Sequence, residues 1–192
     1  MNQHFERLLT RAESLMARIE AVLPQTLMAA PDWKAASAFR YRRRNNGCGV
    51  LEPMRHIGAM RLQDLQEIDA QKEKIQRNTL QFVRGWPANN VLLTGARGTG
   101  KSSLIRACLN SYAPDGLRLI EVDKADLTNL PDIVEVVANR PERFIVFCDD
   151  LSFEAGESGY KALKSVLDGS VAASTPNVLV YATSNRRHLL PE

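Results

Sequence analysis

The chain has 192 residues, 44% of them hydrophobic, with 25 basic and 22 acidic side chains and a formal net charge of +3. That length supports one sizeable core with a small appendage, and so mild a charge excess does not by itself argue for a nucleic-acid partner. No run approaches the roughly 18 apolar residues that span a membrane, and the N-terminus lacks the basic-then-apolar layout of a signal peptide.

The three cysteines, Cys48, Cys108 and Cys148, form no CxxC pattern and no even disulfide framework. Cys108 and Cys148 lie in apolar segments and read as reduced core residues. A cytoplasmic protein with no membrane partner is the expectation.

Residues 3–23 read as an amphipathic helix. Phe5, Leu8, Ala12, Leu15, Ile19 and Leu23 recur at steps of three and four, Glu6, Arg11 and Arg18 take the other face, and Pro24 ends it. Packing on its own domain and binding a partner or a second copy both stay open. Residues 24–60 hold Pro31, Gly47, Gly49, Pro53 and Gly58 with little periodicity, and read as an irregular arm. The basic cluster Arg40-Tyr41-Arg42-Arg43-Arg44 lies there. With Phe39 and Tyr41 interleaved it offers backbone contacts and stacking to nucleic acid. A solvated surface or a subunit contact is the plainer reading.

Residues 61–84 form a second amphipathic stretch with Leu62, Leu65, Ile68, Ile75, Leu80 and Phe82 on its apolar side, closed by Gly85, Pro87 and Asn89-Asn90. Strands and helices then alternate. Val91–Thr94 reads as a strand, 101–112 as a helix, Leu117–Val122 as a strand and 131–139 as a helix. Phe144–Cys148 is a wholly apolar strand, 160–171 a helix and Val178–Ala182 a fourth strand. Near-continuous apolar strands separated by helices predict a parallel sheet covered on both faces.

Gly95-Ala96-Arg97-Gly98-Thr99-Gly100-Lys101-Ser102 matches the pattern G-x-x-x-x-G-K-[ST] without departure. Its context is right, since a strand precedes it and a helix beginning with Ser103 and Leu104 follows. Glycines let the backbone close around phosphates, and successive amides form an anion nest at a helix N-terminus. Lys101 supplies a point charge for the β- and γ-phosphates, and the Ser102 hydroxyl is a ligand for Mg²⁺. Phe144–Cys148 delivers Asp149-Asp150 to the C-terminal edge of the sheet, where ligands bind in open α/β folds. Asp149 is the expected Mg²⁺ partner. Asp150 is the expected residue that orients or activates water, with Glu154 in reserve. Thr183-Ser184-Asn185 ends the fourth strand, between the ends of the first and third, and places a polar side chain within reach of a γ-phosphate.

Together these residues resemble the AAA+ ATPases, with the loop at 95–102 as Walker A, Asp149-Asp150 as Walker B and Asn185 as sensor 1. The strand at 117–122 fits the AAA+ order, and Asp64–Lys72 resembles the segment that packs against adenine. A closer likeness is to the bacterial family called domain of unknown function 815. Phe147–Glu154, Ala182–Glu192 and Asn90–Ser103 resemble its phrases. The resemblance implies a three-layer phosphate-loop NTPase fold of the AAA+ type with a parallel sheet, preceded by an N-terminal helical segment. Residues 1–60 would be helix and arm, and 61–192 the nucleotide-binding core. AAA+ proteins continue into an arginine finger, a fifth strand and a helical lid; the sequence stops at Glu192, so a truncated core with an exposed phosphate-loop strand is expected. Arg186 and Arg187 stand beside sensor 1 and are poor candidates for the finger.

The expected ligands are ATP and Mg²⁺. Gly95 to Ser103 would bind nucleotide, Ser102 and Asp149 the metal, and Lys101, Asp150 and Asn185 would serve hydrolysis. Hydrolysis would be coupled to remodelling or assembly of a macromolecular partner, in a homo-oligomer. Two alternatives stay open: a nucleotide-dependent binding module with little hydrolysis, and a small-molecule kinase. No N-K-x-D guanine motif appears.

Overall fold

The computed structural model describes residues 11, 13–15, 28–44, 48–153, 157–167 and 175–186. Its strands are β1 (Ala38–Arg43), β2 (Gly49–Pro53), β3 (Val91–Thr94), β4 (Leu117–Glu121), β5 (Arg143–Cys148) and β6 (Val178–Ser184). The helices packed on them are α1 (Asp69–Val83), α2 (Lys101–Tyr112), α3 (Leu130–Val137) and α4 (Ser158–Leu167). The strands form one sheet in the order β2-β1-β4-β5-β6-β3. β1 and β2 are antiparallel, and every other neighbouring pair is parallel.

β5 shows why the fold has three layers. Side chains alternate across a strand, and here both faces are apolar. Phe144, Val146 and Cys148 join one core with Ile133, Val137, Leu163 and Val166 of α3 and α4. Ile145 and Phe147 join the other with Ile75, Phe82, Leu104 and Leu109 of α1 and α2. Burial pushes the Cys108 thiol up to about 11 and the Cys148 thiol up to about 12. Both cysteines are core residues, as expected.

A polar tie sets the position of α1. Tyr181 of β6 is fully buried, and its hydroxyl lies 2.9 Å from Asn78 Nδ2 and 2.9 Å from Thr79 Oγ1. Asn78 also donates to the Asn89 carbonyl at 2.8 Å and accepts from the Asn89 amide at 2.9 Å. The helix is thereby fixed beside the strand that enters the phosphate loop.

The irregular arm expected over 24–60 is corrected in its described part. Residues 38–43 and 49–53 are strands of the same sheet, and β1 runs parallel to β4 through Ala38↔Leu119, Phe39↔Ile120 and Arg40↔Glu121. Phe39 and Tyr41 are buried on one face, with Trp33 edge-on to Phe39 at 4.8 Å. Arg40 Nη2 meets Glu121 Oε1 at 2.7 Å on the opposite face. Neither aromatic is available to stack a base, and only Arg42, Arg43 and Arg44 of the cluster are exposed. The stretch at 61–84 is also not one helix. A short 3-10 turn at Leu62–Asp64 is separated from α1 by Glu67, whose φ of 62 breaks the helical path. Of the helix expected over 3–23, residues 11 and 13–15 are helical, and the remainder lies outside the described residues. The helix expected over 160–171 is observed over Ser158–Leu167, and residues 168–171 lie outside the described residues. Among the described residues, no helix is long and apolar enough to cross a membrane.

Phe144→Ala removes a ring that is fully buried against Trp33, and is expected to lower the unfolding free energy by about 3–5 kcal/mol. Arg42→Ala, at an exposed position of β1, should change it by about 0.5 kcal/mol or less. Urea denaturation of the two variants checks both values.

Candidate functional site

β3 runs directly into the glycine-rich loop, and the loop runs directly into α2. Gly98 and Gly100 adopt φ values of 84 and 82, a left-handed conformation that costs other residues about 1–2 kcal/mol. Gly100 is also the N-cap of α2, and its carbonyl accepts the Leu104 amide at 2.8 Å. The turn therefore closes tightly enough for Lys101 to be the first helical residue. The loop's amides stand at the positive end of the helix dipole.

The Lys101 ammonium donates to the Gly95 carbonyl at 2.6 Å, the Ala96 carbonyl at 2.7 Å and Asn185 Oδ1 at 3.0 Å. Thr99 Oγ1 donates to the same Ala96 carbonyl at 2.9 Å. The ammonium is thus pinned against neutral acceptors. A phosphate oxygen is a stronger acceptor than any of them, because its negative charge adds Coulomb attraction to a hydrogen bond from the ammonium.

Across the cavity, β5 ends at Cys148 and the chain turns at once, with Asp150 at φ 52. Ser102 Oγ donates to Asp149 Oδ1 at 2.6 Å, and Thr183 Oγ1 donates to the same oxygen at 2.5 Å. Asn185 Nδ2 donates to Asp150 Oδ1 at 2.5 Å. Asn185 therefore bridges Lys101 and Asp150, and only one orientation of its amide serves both. Flipped, it would set NH₂ against the ammonium and oxygen against the carboxylate.

These groups face one cavity of about 300 Å³, bordered by Arg97 to Ser103 on one side and by Asp149, Asp150, Thr183 and Asn185 on the other. A second hollow of about 320 Å³ adjoins the loop. Ile68, Gln71, Leu93 and Leu104 line it, with Gly95, Thr99 and Lys101 at its border. The segment at 64–72 expected beside a base thus contributes Ile68 and Gln71 to a largely apolar recess next to the phosphate loop.

A Mg²⁺ ion takes hard oxygen donors, keeps several waters, and binds one or two carboxylates together with substrate phosphates. Ser102 and Asp149 fit that donor set. The serine gives its hydrogen to the carboxylate and leaves its oxygen lone pairs for a cation. Among the described residues, no group of three or more His, Cys, Asp and Glu comes together to hold a metal without a phosphate.

Nearly every expected site residue converges here. Gly95 and Ala96 contribute carbonyls to Lys101, while Arg97, Gly98, Thr99, Gly100, Ser102 and Ser103 border the cavity. Glu154 and Arg187 lie outside the described residues. Sequence reasoning gave a role to Asn185 and none to Thr183, whose hydroxyl reaches both acidic residues. The available signal was a Thr-Ser pair closing an apolar strand; both are buried, at 1% and 0% exposure.

A family model described as "Protein of unknown function (DUF815)" matches residues 34–192. No curated protein sequence matches the chain. Among solved structures, a point variant of RuvB from Thermotoga maritima is 17% identical with a TM-score of 0.50, covering 71% of this chain and 44% of that one. A chain of the HORMA:CdnC:Trip13 complex from E. coli MS115-1 is 16% identical with a TM-score of 0.50, covering 68% of this chain and 57% of that one. AMPPCP-bound DnaA from Aquifex aeolicus is 15% identical with a TM-score of 0.49, covering 68% of this chain and 44% of that one. The chain thus spans between 44% and 57% of the length of these structures. At such identities the likeness concerns the fold alone, and the fold is the AAA+ type of phosphate-loop domain.

Gly100→Ala forces a Cβ into the left-handed region at φ 82. It is expected to lower stability by about 1 kcal/mol in the absence of nucleotide. Thermal and urea unfolding measure it.

Proposed function

The chain belongs to the DUF815 family, and from that premise we propose that it binds Mg-ATP between the phosphate loop and Asp149-Asp150 and hydrolyses it. One observation carries the reading. Two sets of hydrogen bonds face one cavity: Asn185 joins the Lys101 ammonium to the Asp150 carboxylate, and the neighbouring Ser102 hydroxyl donates to Asp149.

In this reading the loop amides and Lys101 hold the β- and γ-phosphates, and the recess at Ile68 and Gln71 receives the adenine. Ser102 and Asp149 would hold Mg²⁺, which when bound neutralises charge on the phosphate oxygens. Asp150 accepts a hydrogen from the attacking water and so directs its lone pair at the γ-phosphorus. Asn185 keeps Asp150 in place and holds Lys101 toward the same phosphate. Phosphoryl transfer needs positioning and electrostatic stabilisation more than covalent chemistry, and this set of residues supplies both. An arginine from a second copy would complete the neutralisation in a homo-oligomer.

Turnover would act on a macromolecular partner. Arg42, Arg43 and Arg44, at the C-terminal end of β1, offer phosphate contacts to a nucleic acid, without base stacking. A cytoplasmic setting suits the thiols of Cys108 and Cys148, which are buried in the apolar core.

Purified protein should release phosphate from ATP in the presence of Mg²⁺, and Lys101→Ala should fall to the level of buffer. Equal release by the two proteins would defeat the proposal. Tight Mg-ATP binding without phosphate release would assign the chain to nucleotide-dependent binding instead.

A further inference from the structure

The two acidic residues stand outside the β-ladder that delivers them. β5 ends at Cys148, whose partner in the neighbouring strand is Ala182 of β6. Asp149 and Asp150 follow in a turn that the left-handed Asp150 makes sharp. A carboxylate on such a turn is free to rotate unless something outside the strand fixes it.

β6 supplies the fixation. Thr183 Oγ1 donates to Asp149 Oδ1 at 2.5 Å and accepts the Asp150 amide at 2.8 Å. The Thr183 carbonyl accepts the Leu151 amide at 2.7 Å, and Ser184 Oγ donates to the Leu151 carbonyl at 2.6 Å. Thr183 is 1% exposed, so its hydroxyl has no competing bulk water. Of these contacts, only that from the Thr183 hydroxyl reaches a carboxylate.

A carboxylate oxygen has two lone-pair sites. On Asp149 Oδ1, Ser102 takes one and Thr183 the other. With both donors present, the plane of the carboxylate is set relative to the phosphate loop. With Ser102 alone, the group can pivot about one hydrogen bond. The Asp150 amide would also lose its acceptor and loosen the next residue.

We propose that Thr183 is the positioning residue of the divalent-cation site, acting on the cation through Asp149. The inference rests on the Mg-ATP site proposed above. Partners that orient a metal ligand typically change metal affinity by about 10–100-fold when removed. A merely structural role would instead weaken nucleotide binding with and without the metal alike.

The experiment titrates MgCl₂ into the full chain with a fluorescent ATP analogue and reads anisotropy, beside a parallel arm in EDTA. Thr183→Val should raise the half-saturating Mg²⁺ concentration by about 10-fold or more, while binding in EDTA stays at the wild-type level. Thr183→Ser restores the hydroxyl and should restore the wild-type Mg²⁺ requirement. Ser184→Ala loosens the same turn without touching Asp149 and should leave that requirement unchanged. If Thr183→Val does not fold, Thr183→Cys, with only a weak S–H donor, serves in its place. An unchanged Mg²⁺ requirement in the hydroxyl-free variant overturns the inference and leaves the nucleotide site standing. Equal losses in both arms overturn it too. Wild-type binding that does not respond to Mg²⁺ overturns both the inference and the site on which it rests.

Discussion

β6 is hydrogen-bonded on both sides, and the rest of the site depends on that double pairing. On one side the register runs from Phe144↔Val178 to Cys148↔Ala182, and on the other from Val91↔Tyr181 to Thr94↔Ser184. Continued by one residue, these registers bring Asp149 level with Thr183 and Gly95 level with Asn185. Bonds then form where the strands stop. The Gly95 amide donates to the Ser184 carbonyl at 3.2 Å, Thr183 holds Asp149, and Asn185 joins Lys101 to Asp150. A shift of β6 by one residue would turn every one of these side chains to the other face.

The two apolar layers make that register rigid. β6 is buried along its whole length, so a slip by one residue would force Val178, Val180 and Ala182 and, on the other face, Leu179 and Tyr181 to exchange cores and would disrupt the packing of both. The cost of polar atoms at the strand end is offset locally, because Thr183, Ser184 and Asn185 each find partners on the loop or on the turn after β5. Polar groups buried in this way stabilise only when satisfied. The site and the core are thus built by the same strand, with packing fixing the position and hydrogen bonds fixing the orientation.

Much of this was legible in the residues. The spacing of Gly95, Gly100, Lys101 and Ser102 located the loop, and the unbroken apolar run Phe144–Cys148 marked a central strand with acids at its end. Three things were not legible, each for a physical reason. β1 was hidden because its exposed and ion-paired positions are arginines, which swamp the period-two signal of Phe39 and Tyr41. The break before α1 lies at Glu67, a residue type that gives no warning of a left-handed conformation. The role of Thr183 depends on register across strands distant in sequence, and register is not written in any local pattern.

In our proposal the cavity between Lys101 and Asp149-Asp150 is a Mg-triphosphate site. A structure of the chain determined with a non-hydrolysable ATP analogue and Mg²⁺ tests it most directly. The triphosphate is expected in the cavity bordered by Gly98, Lys101, Ser102, Asp149 and Asn185, with the base toward Ile68 and Gln71. A nucleotide seated elsewhere would contradict it, as would no bound nucleotide at saturating concentration.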